Sequence, residues 1–478
     1  MLVVKRFRKA FYEDKLLATK WLFFAGDVRG GMGERRLFRL CMNFLAETEP
    51  ELAKALLPLI AEYTRWDNLV ALIDTGLSDE IARLIKAQLD ADIQSKANGK
   101  PISLLAKWLP SVNATSERTR ALAKSVTAKL GMTAKQYRQT VSELRKYLSV
   151  VEVTISAKNW SEVKYENVPS KANLLYKQAF LRNDANRRNE YLEALKSGGA
   201  KIHADVLFPH DVVHKYCSSV DSGFYYGYRN LDPYDETVEQ LWKALPNYVQ
   251  GDGSTLCVAD GSGSMLTNVG GGSCVSALEV ANALAIYFAE RCEGRFKDTY
   301  ITFSENPQIV SLKRCKSLHG KLNKALAYNE VANTNIEAVF DLILTTAVKH
   351  KMPQENLPRN ILILSDMEFD DCAVCNDYEE TGDKLFKKGN RLFEEISARY
   401  QAHGYMLPRL IFWNICSRTL TVPLKYNKQG VVLVSGFSPT VLNMVLSGEL
   451  NPYKCLVEQL SLPRYDAVET AVKNIISD

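Results

Sequence analysis

Two short stretches of this chain gather oxygen-bearing side chains directly after apolar runs. The first is Asp260-Gly261-Ser262-Gly263-Ser264-Met265, which follows Thr255-Leu256-Cys257-Val258-Ala259. Its three oxygen side chains stand at alternate positions with glycines between them, a spacing that lets all three turn into one concavity. The second is Leu364-Ser365-Asp366-Met367-Glu368-Phe369-Asp370-Asp371, at the end of the apolar run Asn360–Leu364. A third oxygen donor, Thr334, sits in Ala332-Asn333-Thr334-Asn335 ahead of a helical pattern. Carboxylates and hydroxyls are hard ligands, and Mg²⁺ takes such oxygens in a near-octahedral shell while keeping some water. The other reading of the glycine-serine loop is a turn with a helix cap.

Other chemistries fit these residues less well. A serine-hydrolase elbow needs Gly two residues either side of the Ser, but Asp260 and Ser264 flank Ser262, and Ser262 and Leu266 flank Ser264. A phosphate-binding P-loop needs Gly-x4-Gly-Lys-Ser/Thr; Gly26 to Gly31 has the gap, but Met32 and Gly33 follow. His210, His214 and Cys217 stand at helical spacing without an obvious fourth zinc ligand. Pro209-His210-Asp211 reads as a helix start, with His214 packed inside. Cys372-x-x-Cys375 stands alone and reads as free thiols.

The elements that must position the oxygen donors read as an alternating pattern. From about residue 253, strand candidates at 255–259, Thr299–Phe303, Asn360–Leu364, Leu410–Ile415 and Val431–Val434 alternate with helical stretches. The helices are expected near 276–291, 317–328, 335–349, 384–401 and 439–447. That order predicts a doubly wound, mainly parallel sheet, which binds ligands at the carboxyl ends of its strands. Residues 1 to about 215 read as helical. Apolar residues recur at three- and four-residue steps, as in Leu37-Phe38-x-Leu40-Cys41-x-x-Phe44-Leu45. Helix pairs of this length suit an all-helical, HEAT-like repeat stack. Residues 196–252 are mixed, with an amphipathic helix near 235–249. The expected organisation is a helical domain over 1–252 and an α/β domain over 253–478.

The charge is uneven between these parts. The 478 residues carry 60 Lys+Arg and 55 Asp+Glu, a net of +5. Residues 1–200 hold a net of +11 and the remainder −6. A 46% apolar, 24% charged composition excludes a disordered, collagen-like or disulfide-dense chain. No apolar run reaches the roughly 18–20 residues of a membrane helix, and the cluster Trp21–Phe24 is too short for the apolar region of a signal peptide. Free thiols and a cytoplasmic location are expected. Between residues 118 and 146, Arg118, Arg120, Lys124, Lys129, Lys135, Arg138, Arg145 and Lys146 face only Glu143, with Tyr137 and Tyr147 interleaved. Such a surface suits a phosphate backbone with exposed bases, or is simply a solvated helix face. Gly26-Asp27-Val28-Arg29-Gly30-Gly31-Met32-Gly33-Glu34-Arg35-Arg36 opens a helix. It reads either as an anion site at a helix start or as a tight turn holding an Asp27–Arg or Glu34–Arg pair.

At Asp260-x-Ser262-x-Ser264, with Thr334 and Asp366 following in order, the sequence resembles the metal-ion-dependent adhesion site of von Willebrand factor A domains. The resemblance covers about residues 253–478. It implies a site of Asp260, Ser262, Ser264, Thr334 and Asp366 around Mg²⁺ or another divalent cation. Ser262, Ser264 and Thr334 would contact the ion directly, the two aspartates would act through water, and a partner's oxygen would complete the shell. Met367 stands where many such domains have Gly, and Glu368, Asp370 or Asp371 could fill the open position from within.

The helical half resembles an uncharacterised family of bacteria, phages and some eukaryotes. The segments that carry this are Asp27–Arg35, Ala106-Lys107-Trp108-Leu109-Pro110, Tyr137-Arg138-x5-Leu144-Arg145-Lys146-Tyr147-Leu148, Val168-Pro169-Ser170-Lys171-Ala172 and Phe208-Pro209-His210-Asp211. A helical domain followed by a von Willebrand A domain is similar to the Ro autoantigen family with its TROVE module. By that analogy, noncoding or single-stranded RNA would bind through Arg118, Arg120, Lys124, Lys135, Arg138, Arg145 and Lys146. The expected function is a Ro-like RNA-binding scaffold and not an enzyme. The alternative is a protein–protein adaptor that docks its partner through the metal site, without RNA.

Overall fold

The computed structural model describes residues 2–217, 231–247, 249, 254–269, 273–328, 335–366, 393–416, 431–435 and 452–476. Helices occupy the first part of the chain, the longer ones at Leu2–Glu13, Lys15–Gly26, Arg35–Thr48, Pro50–Tyr63, Ser78–Ala97, Glu117–Lys129 and Ala134–Tyr147. Their starts follow from local side-chain chemistry. Asp14 accepts from the Leu17 amide at 2.8 Å, and Thr133 and Gln136 exchange hydrogen bonds as a capping box. Of the apolar pattern read on Arg35–Thr48, Phe38, Cys41 and Leu45 are buried and Leu37, Leu40 and Phe44 are half-buried, while Met42, outside that pattern, is also inside.

The chain forms two compact units. One is Met1–Lys164 together with Tyr453–Asp478, and the other is Tyr165–Pro452. The expected division between 252 and 253 thus lies inside the second unit. The reason is packing: helices Pro209–Cys217 and Glu236–Lys243 bury Val212, Val213, Tyr216, Leu241 and Trp242 in the same core as the sheet. In the first unit the last helix, Asp466–Ile476, lies against Lys15–Gly26 and Pro50–Tyr63.

The glycine-rich segment after Gly26 is the seat of this return. Asp27 is fully buried. It accepts from Arg464 through Nε and, at 2.8 Å, through Nη2. Tyr465 donates to it at 3.1 Å and the Arg29 amide at 2.9 Å. Tyr63 and Tyr465 stack with ring centroids 5.8 Å apart. A Cβ at Gly31 would stand 1.9 Å from the Phe24 carbonyl oxygen, and one at Gly30 would meet the Arg464 side chain at 2.9 Å. The motif is therefore the tight turn with an Asp27–Arg pair, and its arginine comes from the far end of the chain.

Among the described residues of the second unit, six strands form one sheet in the order β3-β2-β1-β4-β5-β6. They are β1 Thr255–Asp260, β2 Thr299–Phe303, β3 Ile309–Ser311, β4 Asn360–Ser365, β5 Arg409–Asn414 and β6 Val431–Ser435. All neighbours run parallel except β2 and β3. Alternate residues serve opposite faces, as a pleated strand requires. Cys257, Ala259, Leu362, Leu364, Ile411 and Trp413 share a core with helix Ala277–Arg291. Leu256, Val258, Ile361, Ile363, Leu410 and Phe412 share another with helix Ile336–Lys349. An all-helical region followed by a doubly wound, mainly parallel sheet is the expected fold class. The helix expected at 439–447 lies outside the described residues, as does the 384–392 part of the one expected at 384–401.

Candidate functional site

In a sheet of this order the strand connections reverse direction between β1 and β4, and ligands collect in the crevice beyond those strand ends. The two oxygen-rich stretches begin at that crevice. Ala259 is level with Leu364 in the parallel ladder, so Asp260 and Ser365 follow side by side. The Ser365 hydroxyl donates to Asp260 Oδ2 at 2.6 Å. The Ser262 amide donates to Asp260 Oδ1 at 2.9 Å. The Ser262 and Ser264 hydroxyls are 3.1 Å apart. Met265, fully buried, anchors the short turn Gly263–Leu266 that holds Ser264.

Asp260 and Asp366 are each only 1% exposed. Burial pushes the Asp260 carboxyl up to about 6, and the charge of Asp366 pushes the same way. The hydrogen bonds from Ser365 and Ser262 oppose them by favouring the ionised form. Two interacting carboxylates out of water repel each other unless a proton or a cation lies between them. Here they stand with the hydroxyls of Ser262, Ser264 and Ser365, an oxygen set suited to a hard divalent ion. Among the described residues no group of three or more histidine, cysteine or acidic side chains is placed to hold a metal; the present set has two carboxylates and draws its remaining oxygens from serines.

Hydrogen bonds join Asp260, Ser262, Ser264 and Ser365, and the charge of Asp366 acts on Asp260 from the end of β4. Thr334 lies outside the described residues, as do Glu368, Asp370, Asp371, Cys372 and Cys375. Next to Thr334, Asn335 caps helix Ile336–Lys349 by accepting from the Ala338 amide at 3.0 Å. Ser365 was not among the expected site residues. Its signal was its place in the β1–β4 register, one step beyond Leu364.

The other sequence-predicted residues divide by burial. Arg118, Lys124, Lys135, Arg138 and Lys146 are exposed and make no ion pair with a described residue. Lys135, Arg138 and Lys146 fall at three- and eight-residue steps along Ala134–Tyr147, so they form one stripe. Arg120 is exposed, but its Nη1 donates to the carbonyls of Ala114 and Thr115 at 2.9 and 2.7 Å. Lys129 pairs with Asp79 at 3.1 Å.

Two residues of the expected surface turn inward instead. Tyr137 is 1% exposed and donates to the Pro110 carbonyl at 2.8 Å. Arg145 donates to the carbonyls of Ala106 and Leu109 at 2.8 and 2.6 Å and to Ser111 Oγ at 2.8 Å. Burial lowers the Arg145 pKa. These bonds tie Ala134–Tyr147 to the segment Ala106–Ser111, which is structural work. His210, and not His214, is the deeply packed histidine of its helix. His214 Nδ1 lies 2.6 Å from Glu279 Oε2.

Fold and site together define a two-unit protein: a helical unit with an exposed basic stripe, and a doubly wound sheet with an acid-hydroxyl cluster at its switch point. Two family models match it. Domain of unknown function (DUF2828) matches residues 75–255, and Domain of unknown function (DUF7788) matches residues 254–461. Uncharacterized protein L728 of Acanthamoeba polyphaga mimivirus is 28% identical over 498 aligned residues, covering 96% of this chain and 81% of that protein. The crystal structure of the Ro (RSR) protein of Deinococcus radiodurans aligns over 92% of both chains with a TM-score of 0.41 and 14% identity. No described helix is long and apolar enough to cross a membrane.

Proposed function

We propose that this protein is a cytoplasmic, Ro-like RNA-binding scaffold, a binder and not an enzyme, with a divalent-cation site at the switch point of its sheet. The observation that carries the reading of the site is the buried pair Asp260 and Asp366, held with three serine hydroxyls at the ends of β1 and β4. Mg²⁺ bound there would supply fixed positive charge that takes an oxygen ligand from a partner. Asp260, Ser262, Ser264 and Asp366 would hold it, with Thr334 as the resemblance to von Willebrand A domains implies. The carboxyl of Asp260, kept in place by Ser365 and the Ser262 amide, is oriented before any ligand arrives.

RNA contact is assigned to the exposed cations Arg118, Lys124, Lys135, Arg138 and Lys146, the last three forming the stripe on Ala134–Tyr147. Five cations without acidic partners leave their charge available to phosphates. Ultraviolet crosslinking of the protein in cells, followed by sequencing of the nucleic acid recovered, tests this reading. Single-stranded or structured RNA that is lost when Lys135 and Arg138 become Gln supports it. Recovery of a protein partner without RNA, dependent on Mg²⁺ and on Asp366, would replace it with the adaptor reading.

A further inference from the structure

A second concentration of positive charge in the helical unit is built on helix Arg35–Thr48 and the residue before helix Trp66–Val70. Arg35 and Arg39 stand one turn apart on helix Arg35–Thr48, so both leave the same face. Arg65 joins them from the residue before the short helix Trp66–Val70. All three converge on one carboxylate. Arg65 binds Asp67 through Nε at 3.0 Å and Nη2 at 2.7 Å. Arg39 binds it through Nη2 at 2.8 Å and gives Nε to Asn68 at 2.7 Å. Arg35 stands 3.8 Å from the same carboxylate and donates no hydrogen bond to a described residue. The Arg65 guanidinium lies 3.8 Å from the centre of the Trp108 ring, and Lys107 stands 5.6 Å from that ring.

The charges do not balance. Three guanidinium groups meet the single carboxylate of Asp67, with Glu34 beside Arg35. Burial raises the Glu34 carboxyl, and the charge of Arg35 opposes that rise. The Arg35 pKa is lowered, by burial first and then by Arg65 and Arg39. Like charges one helical turn apart destabilise a helix. For folding alone Arg35 is therefore a liability. Arg39 and Arg65 hydrogen-bond Asp67 without it, and its own 3.8 Å ion pair with that carboxylate is offset by repulsion from the two neighbouring guanidinium groups. An arrangement of this kind gains when an oxyanion arrives, because the planar fork of each guanidinium matches phosphate oxygens in pairs.

We propose that Arg35, Arg39 and Arg65 form a phosphate-binding site, with Asp67 and Trp108 holding two of the guanidinium groups in position. The phosphate is either free or part of a polynucleotide. Only the second source rests on the RNA reading above.

Two probes and two variants test this. Inorganic phosphate is titrated into the full-length protein against sodium chloride of equal ionic strength, with the melting temperature as readout. Single-stranded RNA 12-mers with a 5′-phosphate and with a 5′-hydroxyl are titrated by fluorescence anisotropy. Arg35→Gln should fold about as well as the parent, since Arg35 makes no hydrogen bond to a described residue and its one ion pair is half-exposed. The parent should show a phosphate-specific rise in melting temperature that Arg35→Gln lacks and Arg35→Lys keeps in part. If RNA supplies the phosphate, Arg35→Gln should weaken RNA binding about tenfold, the loss of one charge-assisted contact. A loss confined to the 5′-phosphorylated strand places the chain end there, and an equal loss for both strands places the backbone there. If the phosphate response disappears in Arg35→Gln while RNA affinity is unchanged or absent, the site takes free phosphate and stands without RNA. No phosphate-specific rise in the parent, or the same rise in Arg35→Gln, overturns the site, whatever Lys135→Gln with Arg138→Gln does to RNA binding.

Discussion

Arg138 and Arg145 sit seven residues apart on one helix, and the structure predicts opposite consequences for losing them. Arg145 donates to two carbonyls and a hydroxyl of the segment Ala106–Ser111. A charged donor contributes about 1.5–3 kcal/mol per bond when buried. Arg145 is half-buried and its bonds share one anchor, so the sum is discounted to roughly 2–4 kcal/mol for Arg145→Gln. Arg138 is exposed and makes no ion pair with a described residue. Arg138→Gln should shift stability by no more than about 0.5 kcal/mol. Binding should show the reverse. Five phosphate contacts on a single strand give a log–log salt slope near −3.5, a loss of about 100-fold between 50 and 200 mM salt. Removing Arg138 should reduce that slope by about 0.7. Arg145→Gln, measured where it is still folded, should leave the slope unchanged. Urea denaturation followed by tryptophan fluorescence, with anisotropy of a labelled single strand at several salt concentrations, gives both quantities. If Arg145→Gln is as stable as the parent and flattens the salt slope as Arg138→Gln does, the division of the basic surface made here is wrong.

The clasp between the chain's ends predicts that Arg464→Met destabilises the helical unit by roughly 2–4 kcal/mol, because buried Asp27 loses its charged partner. Adding Asp27→Asn should recover part of that loss in urea melts. A pH dependence follows from Asp260, whose folded pKa of about 6 lies above its ordinary value of 3.8. The native state then holds this proton more tightly than the unfolded chain does. Its contribution is fully present below pH 4 and is lost as pH rises through 6, on the order of 3 kcal/mol. In chelator, the parent should lose that much more stability than Asp260→Asn between pH 4 and 7. Equal pH profiles for the two proteins would refute the shift.

The strands were legible because parallel strands covered on both faces read as unbroken apolar runs, as Leu256–Ala259 and Ile361–Leu364 do. β3 was not, since three residues at an antiparallel edge, one of them the exposed Ile309, leave no such run. Which core the helix Pro209–Cys217 joins was not legible, because an amphipathic face shows that a helix packs, not on which core. Pro209–Cys217 could equally have closed the helical unit. The roles of Tyr137 and Arg145 were partly legible. Tyr137, Val141 and Leu144 fall on one stripe and are the buried residues of their helix, so Tyr137 belonged inside from spacing alone. That Arg145 reaches back to Ala106 depended on where another segment lies. Nothing local marks Arg464 as the partner of Asp27, because the pair forms across 437 positions of sequence. At the site, spacing gave Asp260, Ser262 and Ser264, while Ser365 became visible only with the β1–β4 register.

The most direct test of the cation site is calorimetric titration of Mg²⁺ into protein stripped with chelator, at pH 7 where Asp260 is ionised. One saturable site is expected, accompanied by stabilisation of about 2.7 kcal/mol at a hundredfold excess over Kd, and both should vanish in Asp366→Asn. Heat no greater than that of dilution in the parent, or an unaltered isotherm in Asp366→Asn, would contradict it.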